Sequence, residues 1–564
     1  MMNRLNLTRK KIIFMCVFLA MFTIGTVLIF ITPTGVKSTY GLTVRTTDGV
    51  TIAFNVFEPK REGMNKKAII LGHGVMSNKE MLKGFAIELA TAGFVAIPFD
   101  FRGHGQSTGE LDRGSLKNDI NAIISYLNSR PDVDSTALGY FGFSMGGFPG
   151  IQIVNESTNF KCFIGGGTRL PKNVRKGNST APLNILMILG RYDELITPED
   201  LKVGLSDYTG IPSADLDVNK LYGSFQDGNA AMIYLDDNSN HVLGDWDPDF
   251  IRETRNFAMN TFPDVRPIDE NFYANTRLLI LFLQLIGGLG FFVLLIEPLS
   301  KLILPRNEEE ILKIEVENET IRSICIKTFG FSLLFAIPGI FIFLPIIIVG
   351  YLPTAGFILA LLFGQAFGIL LLIWRLGKKS NSSLGKNIIK PFRVPRNLLL
   401  RQIILGVILA IIFTLIIYAS GGLNYIGIIP SLLKIAWVPL YFALTFIIFM
   451  IFGILFQGTL QHKFEKGIKS QIKVTLVIFC MMFIYMFFYL FVVAMIMGSF
   501  FYFGSFLPLA IPLFLLNSFI TTISYQKTRN IIVGTIINTL FFTLLICTIS
   551  PYQSGLSFLL GFIH

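Results

Sequence analysis

Gly142-Phe143-Ser144-Met145-Gly146 closes the apolar run Ala137–Phe143, and a helix-forming stretch begins at about Met145. A strand that bends sharply into a helix through G-x-S-x-G is the setting in which a serine hydroxyl stands exposed above a sheet. Such a bend leaves no room for neighbouring side chains, which accounts for Gly142 and Gly146, and Gly147 adds space. The hydroxyl then sits at a helix N-terminus, where the backbone N–H of Met145 can stabilise an oxyanion. A serine that only capped the helix would not need two flanking glycines.

On both sides of this bend, short apolar runs alternate with helix-length amphipathic stretches. Leu42–Arg45 and Thr51–Phe57 flank the hairpin signal Asp48-Gly49. Ala68–Leu71, Phe94–Pro98, Ala137–Phe143, Cys162–Ile164, Asn184–Leu189 and Met232–Leu235 read as strands. Helices are predicted around Lys79–Ala92, Ser115–Ser129 and Pro248–Asn260 and from about Met145. Strands rich in Ile, Val and Phe, without polar alternation, predict a mostly parallel sheet covered on both faces.

Residues from about 40 to 265 resemble an α/β-hydrolase of the branch that holds serine aminopeptidase-like, monoacylglycerol-lipase-like and dienelactone-hydrolase-like proteins. The resemblance is carried by Leu71-Gly-His-Gly74, Phe99-Asp-Phe-Arg-Gly-His-Gly-Gln-Ser107, Gly142–Gly147, Gly190-Arg-Tyr-Asp193 and Asn240-His241. It covers under half of the chain. It implies a triad in the order serine, acid, histidine. Of the five histidines, His73 and His104 precede Ser144, His462 falls in a predicted inner loop and His564 is the last residue, which leaves His241 as the general base. Asp193, after the strand Asn184–Leu189, is the expected acid, with Glu194 as rival but pointing away from a tight turn. Asp236 and Asp237 are expected to be solvated turn residues. The family pattern places the second oxyanion donor at the backbone N–H of Val75, with Met76 the next along. His73, Asp100, Arg102 and His104 are expected to brace loops rather than to perform chemistry.

The remainder of the chain is of another kind. Of 564 residues, 52% are apolar and 15% charged, against about 25% charged in soluble domains. This excludes a wholly soluble enzyme, a disordered chain and a disulfide-knotted protein. Residues 38–275 hold 22 Lys and Arg against 29 Asp and Glu, whereas the rest holds 26 against 8. The formal +11 is therefore no nucleic-acid footprint. Stretches free of Asp, Glu, Lys and Arg read as about nine spans. Basic residues gather at the N-terminus and in 297–327, 375–401, 463–473 and 525–530, whereas the predicted outside connections carry almost none, Lys434 being the exception. The positive-inside rule then puts the N-terminus in the cytoplasm and the hydrolase-like block outside. The expected division is 1–37, first membrane helix, retained rather than cleaved; 38–275, extracytoplasmic α/β domain; and 276–564, an all-α bundle of about eight helices.

The expected activity is that of a membrane-embedded serine hydrolase cleaving a carboxylic ester, from a lipid or a lipid-linked acyl group, through an acyl-serine. A serine aminopeptidase-like peptidase and a non-catalytic lipid transport or scaffold protein are the alternatives. No cofactor and no metal site is expected; membrane lipids are the expected partners. Arg169, Lys172, Arg175 and Lys176 form a basic cluster, read either as facing lipid headgroups or as a solvated loop. No large helical lid is apparent.

Overall fold

Uninterrupted apolar runs make strands that can only be buried, and the computed structural model arranges eight of them in one sheet. It describes residues 8–304, 319–379, 384–464, 467–498 and 500–560. The strands are β1 (Val36–Arg45), β2 (Thr51–Pro59), β3 (Lys66–Gly72), β4 (Val95–Phe99), β5 (Val133–Phe143), β6 (Phe160–Gly166), β7 (Asn184–Gly190) and β8 (Ala231–Asp236). Their spatial order is β1-β2-β4-β3-β5-β6-β7-β8. The β1–β2 and β2–β4 pairs are antiparallel and every other pair is parallel. This is the mostly parallel sheet, covered by helices on both faces, that the sequence predicts.

The first strand begins earlier than the pattern suggests. A register shift between Thr39 and Leu42 interrupts its pairing with β2, and such a bulge hides a strand's periodicity in sequence.

Helix α1 (Arg9–Ile31) precedes the sheet. On one sheet face, α2 (Lys83–Thr91) and α6 (Pro248–Thr261) cover Ile69, Leu71, Ile164 and Leu186 with Phe85, Leu89, Phe250 and Phe257. On the other, α3 (Leu116–Asn128), α4 (Gly147–Glu156) and α5 (Pro198–Thr209) cover Ile70, Tyr140, Phe163 and Met187. Helix α5 is absent from the sequence expectation, although its start carries a capping box between Thr197 and Asp200 with Pro198 at the first turn.

The rest of the described chain is helical: α7 (Ala274–Ile303), α8 (Ile321–Val349), α9 (Pro353–Lys379), α10 (Arg396–Ile417), α11 (Val438–Leu455), α12 (Ile468–Met497), α13 (Phe501–Thr528) and α14 (Ile531–Ile549), with short helical turns between some of them. Among the described residues nine helices, α1 included, are long and apolar enough to cross a membrane, the pattern of a multi-pass membrane protein. Parts of the expected inner connections 297–327, 375–401 and 463–473 lie outside the described residues. Polar side chains join the helices: Gln284 Nε2 donates to Thr26 Oγ1 at 3.2 Å and to the Ala419 carbonyl at 3.1 Å, and Gln365 Nε2 donates to the Met481 carbonyl at 3.1 Å. In an apolar medium such bonds hold helices together. Lys434, the exception among the uncharged connections, is buried and donates to the Thr548 carbonyl at 3.0 Å.

The two parts meet along one rim of the sheet. The loops after β3, β4, β7 and β8, all at the C-terminal ends of parallel strands, touch the helical part. Leu111 N–H donates to the Tyr552 carbonyl at 2.8 Å, Ser554 N–H to Glu110 Oε1 at 2.6 Å, and Asn240 Nδ2 to the Gly504 carbonyl at 3.1 Å.

Candidate active site

The same rim carries Ser144. The serine has φ of +48°, a left-handed conformation that a non-glycine residue adopts at a cost of about 1–3 kcal/mol. Neighbouring geometry imposes it, since β5 must reverse into α4 across a single 3-10 turn, Ser144–Gly146. Gly142 is required there because a Cβ at that position would lie 2.6 Å from the Gly146 carbonyl oxygen.

His241 follows β8 in a loop, and its Nε2 lies 2.9 Å from Ser144 Oγ. Its Nδ1 lies 2.8 Å from Asp193 Oδ2. Because that carboxylate can only accept, Nδ1 carries the proton and Nε2 is left to accept from the serine hydroxyl. Asp193 is held in turn: its Oδ1 accepts from the N–H groups of Leu195 at 2.9 Å and Ile196 at 3.0 Å. The Asp193 and His241 side chains are 2% and 6% exposed. Three residues 49 and 48 positions apart in sequence thus form one hydrogen-bonded series. The loop after β3 lies against it, with a Cβ on Gly74 reaching within 3.3 Å of Ser144 Cβ. Val75, the next residue, is partly exposed at this edge, and Met145 N–H belongs to the turn beneath Ser144.

The residues expected to brace loops do so. His73 Nδ1 donates to the Gly74 carbonyl at 2.7 Å and Nε2 accepts from Phe101 N–H at 3.1 Å; burial pushes its pKa down to about 4, so the ring is neutral. Asp100 accepts from the Lys79 ammonium at 2.6 Å and from Lys79 and Gln106 N–H. Arg102 pairs with Asp48 and Asp119.

Three expectations need correction. Glu194 does not point away from the site. Its carboxylate turns toward the His241 loop, 3.4 Å from both Asn240 Nδ2 and His241 N–H, and burial raises its pKa. Asp236 is not a solvated turn residue: it is buried and accepts from the N–H groups of Asn238 at 3.0 Å and Ser239 at 2.8 Å, shaping the turn into His241. Nor does Arg175 face lipid; its guanidinium donates to the carbonyls of Val154, Phe160, Ala181 and Pro182.

Asp236, Asp247 and Asp249 bring carboxylate oxygens within 4.8 Å of one another, a grouping that sequence spacing hides. Asp247 caps α6 and accepts from Asp249 and Phe250 N–H, so two of the three carboxylates already serve the backbone.

The family described as serine aminopeptidase, S33 matches residues 63–200, a stretch that includes Ser144 and Asp193 and stops short of His241. An Escherichia coli protein, "Uncharacterized 31.7 kDa protein in traX-finO intergenic region", is 30% identical over 121 residues, which are 21% of this chain and 41% of that relative. The chain thus spans about two fifths of the length of the first curated relatives it matches. Among solved structures, an esterase of Pyrococcus furiosus is 18% identical with a TM-score of 0.30, covering 38% of this chain and 90% of the esterase. A dienelactone hydrolase of Anabaena variabilis is 17% identical with a TM-score of 0.31, covering 41% and 99%.

Proposed function

We propose that this α/β-hydrolase domain is a serine hydrolase that cleaves carboxylic esters of membrane lipids or lipid-linked acyl groups. The series Ser144–His241–Asp193 carries the reading. His241 Nε2 removes the hydroxyl proton as Ser144 Oγ attacks the carbonyl carbon, and Asp193 stabilises the imidazolium that forms. The N–H groups of Met145 and Val75 donate hydrogen bonds to the oxyanion. The imidazolium then protonates the leaving alcohol, and water activated by the same base releases the acid.

Two features support a lipid substrate. The rim that carries Ser144 is the one whose loops contact the helical bundle. Large apolar side chains also stay exposed on segments that carry the site residues: Val75 after β3, Phe148 at the start of α4, Tyr192 and Leu195 beside Asp193, and Leu243 after His241. Exposed apolar groups gathered at one edge mark a binding surface. We place this face outside the cytoplasm, because the connections that meet it are nearly free of Lys and Arg whereas the opposite connections are basic.

The aminopeptidase reading is favoured by the description of the matching family. Full-length protein should be given p-nitrophenyl esters of rising acyl length and aminoacyl p-nitroanilides. Turnover of esters that strengthens with chain length is the expected result. Faster release from the anilides would establish the peptidase instead, and no turnover of either would favour the non-catalytic transport or scaffold role.

A further inference from the structure

Two loops must hold still for this chemistry, and both are tied to the same short piece of the helical bundle. The loop after β3 offers the Val75 N–H and continues to Asn78, whose Oδ1 accepts from Gly427 N–H at 3.1 Å. The loop after β8 carries His241 and continues to Trp246, whose Nε1 donates to the Tyr425 carbonyl at 2.8 Å. The two loops are also tied to each other, Ser77 Oγ donating to Asp245 Oδ2 at 3.1 Å. The segment they grip is no loose loop. The N–H groups of Asn424, Tyr425 and Ile426 all donate to the Gly421 carbonyl, at 3.2, 2.9 and 3.1 Å, and Asn424 Nδ2 donates to the Ser420 carbonyl at 3.0 Å. It is an extension of the end of α10 and moves with that helix.

We propose that the turn Tyr425–Gly427 is a positioning element for the reaction, with Asn78 and Trp246 as the positioning residues through which α10 sets the oxyanion donor and the general base against Ser144. The proposal rests on the serine-hydrolase reading above. Neither residue touches the reacting atoms. Their effect lies in placement, and a displacement of about 1 Å in such a site costs about 100-fold in rate. A turn that supplies one donor and one acceptor two residues apart fixes both loops relative to each other, which a bond to one loop alone would not do. Asn240, bound to the Gly504 carbonyl on α13, holds the His241 loop from another helix.

The rival account is that the turn only anchors the domain. Lys83 separates the two accounts: its Nζ bonds to the Leu423 carbonyl at 3.0 Å and Asn424 Oδ1 at 2.7 Å, next to the same turn, but it lies on α2 and on neither catalytic loop. The test uses full-length protein in lipid nanodiscs, a short soluble p-nitrophenyl ester, and titration of reactive serine with a fluorophosphonate. Trp246→Phe, which removes the N–H donor and keeps an aromatic ring, and Asn78→Ala should each lower kcat about 10- to 100-fold. KM should stay within about twofold, and the fluorophosphonate reaction should slow in parallel. Lys83→Met should leave kcat per titrated serine unchanged. Equal kcat in wild type, Trp246→Phe and Asn78→Ala overturns the proposal, as does an equal loss in all three variants. Wild-type turnover that persists in Ser144→Ala overturns the underlying reading as well, so the two failures are distinguishable.

Discussion

Asp245 shows how a single buried side chain links this site to solution conditions. It is buried between the two catalytic loops, with one oxygen bonded to Ser77 and the other without a partner among the described residues. Burial pushes its carboxyl up to about 7. When folded it keeps its proton across a range in which the unfolded chain, ionising near 3.8, has lost it. The folded state therefore binds the extra proton, and stability is lost as pH rises from about 3.8 towards 7. Asp245→Asn keeps the acceptor for Ser77 and removes the titration. Thermal unfolding of the full chain should show the variant gaining stability over wild type at pH 8 and little at pH 5. The same residue marks a limit of sequence reading: Ser144, Asp193 and His241 were legible from motif, order and elimination, but Asp245 and Glu194 were not, because their surroundings are assembled from segments far apart in the chain.

At the scale of elements, the bend between β5 and α4 is the most constrained part of the domain. It was legible because its requirement is local: small residues on both sides of a serine at a strand end. Gly142→Ala sets a methyl group against the Gly146 carbonyl, backbone that cannot swing aside. The expected cost is about 1–3 kcal/mol of stability, with loss of activity beyond what the stability change explains because Ser144 is displaced; chemical denaturation and initial rates on the folded fraction check both. Other elements were less legible. Helix α5 was missed although Thr197-Pro198-Glu199-Asp200 announces its start, since its face against the sheet is only partly apolar. The start of β1 was hidden by the shift between Thr39 and Leu42.

For the whole molecule, charge told more than hydrophobicity. Long runs free of Asp, Glu, Lys and Arg gave the nine helices, and Gly498 and Ser550-Pro551 marked breaks that the structure places at helix ends. Which rim of the sheet meets the bundle was not legible, because the contacts are single hydrogen bonds between loops with no sequence pattern. The arrangement predicts a topology. In a cysteine-free background, Met64→Cys, on an exposed part of the domain, should react in intact cells with a membrane-impermeant maleimide, whereas Lys390→Cys should react only after permeabilisation. The reverse pattern places the domain in the cytoplasm.

Every step of the proposed reaction requires Ser144 to be a nucleophile driven by His241 and Asp193. Full-length wild type, Ser144→Ala and Asp193→Asn should be treated with a fluorophosphonate and the modified peptide located by mass spectrometry. A single adduct on Ser144 is expected, with none in Ser144→Ala and labelling slowed by about 10⁴-fold in Asp193→Asn. Folded wild-type protein that takes no adduct, or one whose labelling survives in Ser144→Ala, would contradict this mechanism.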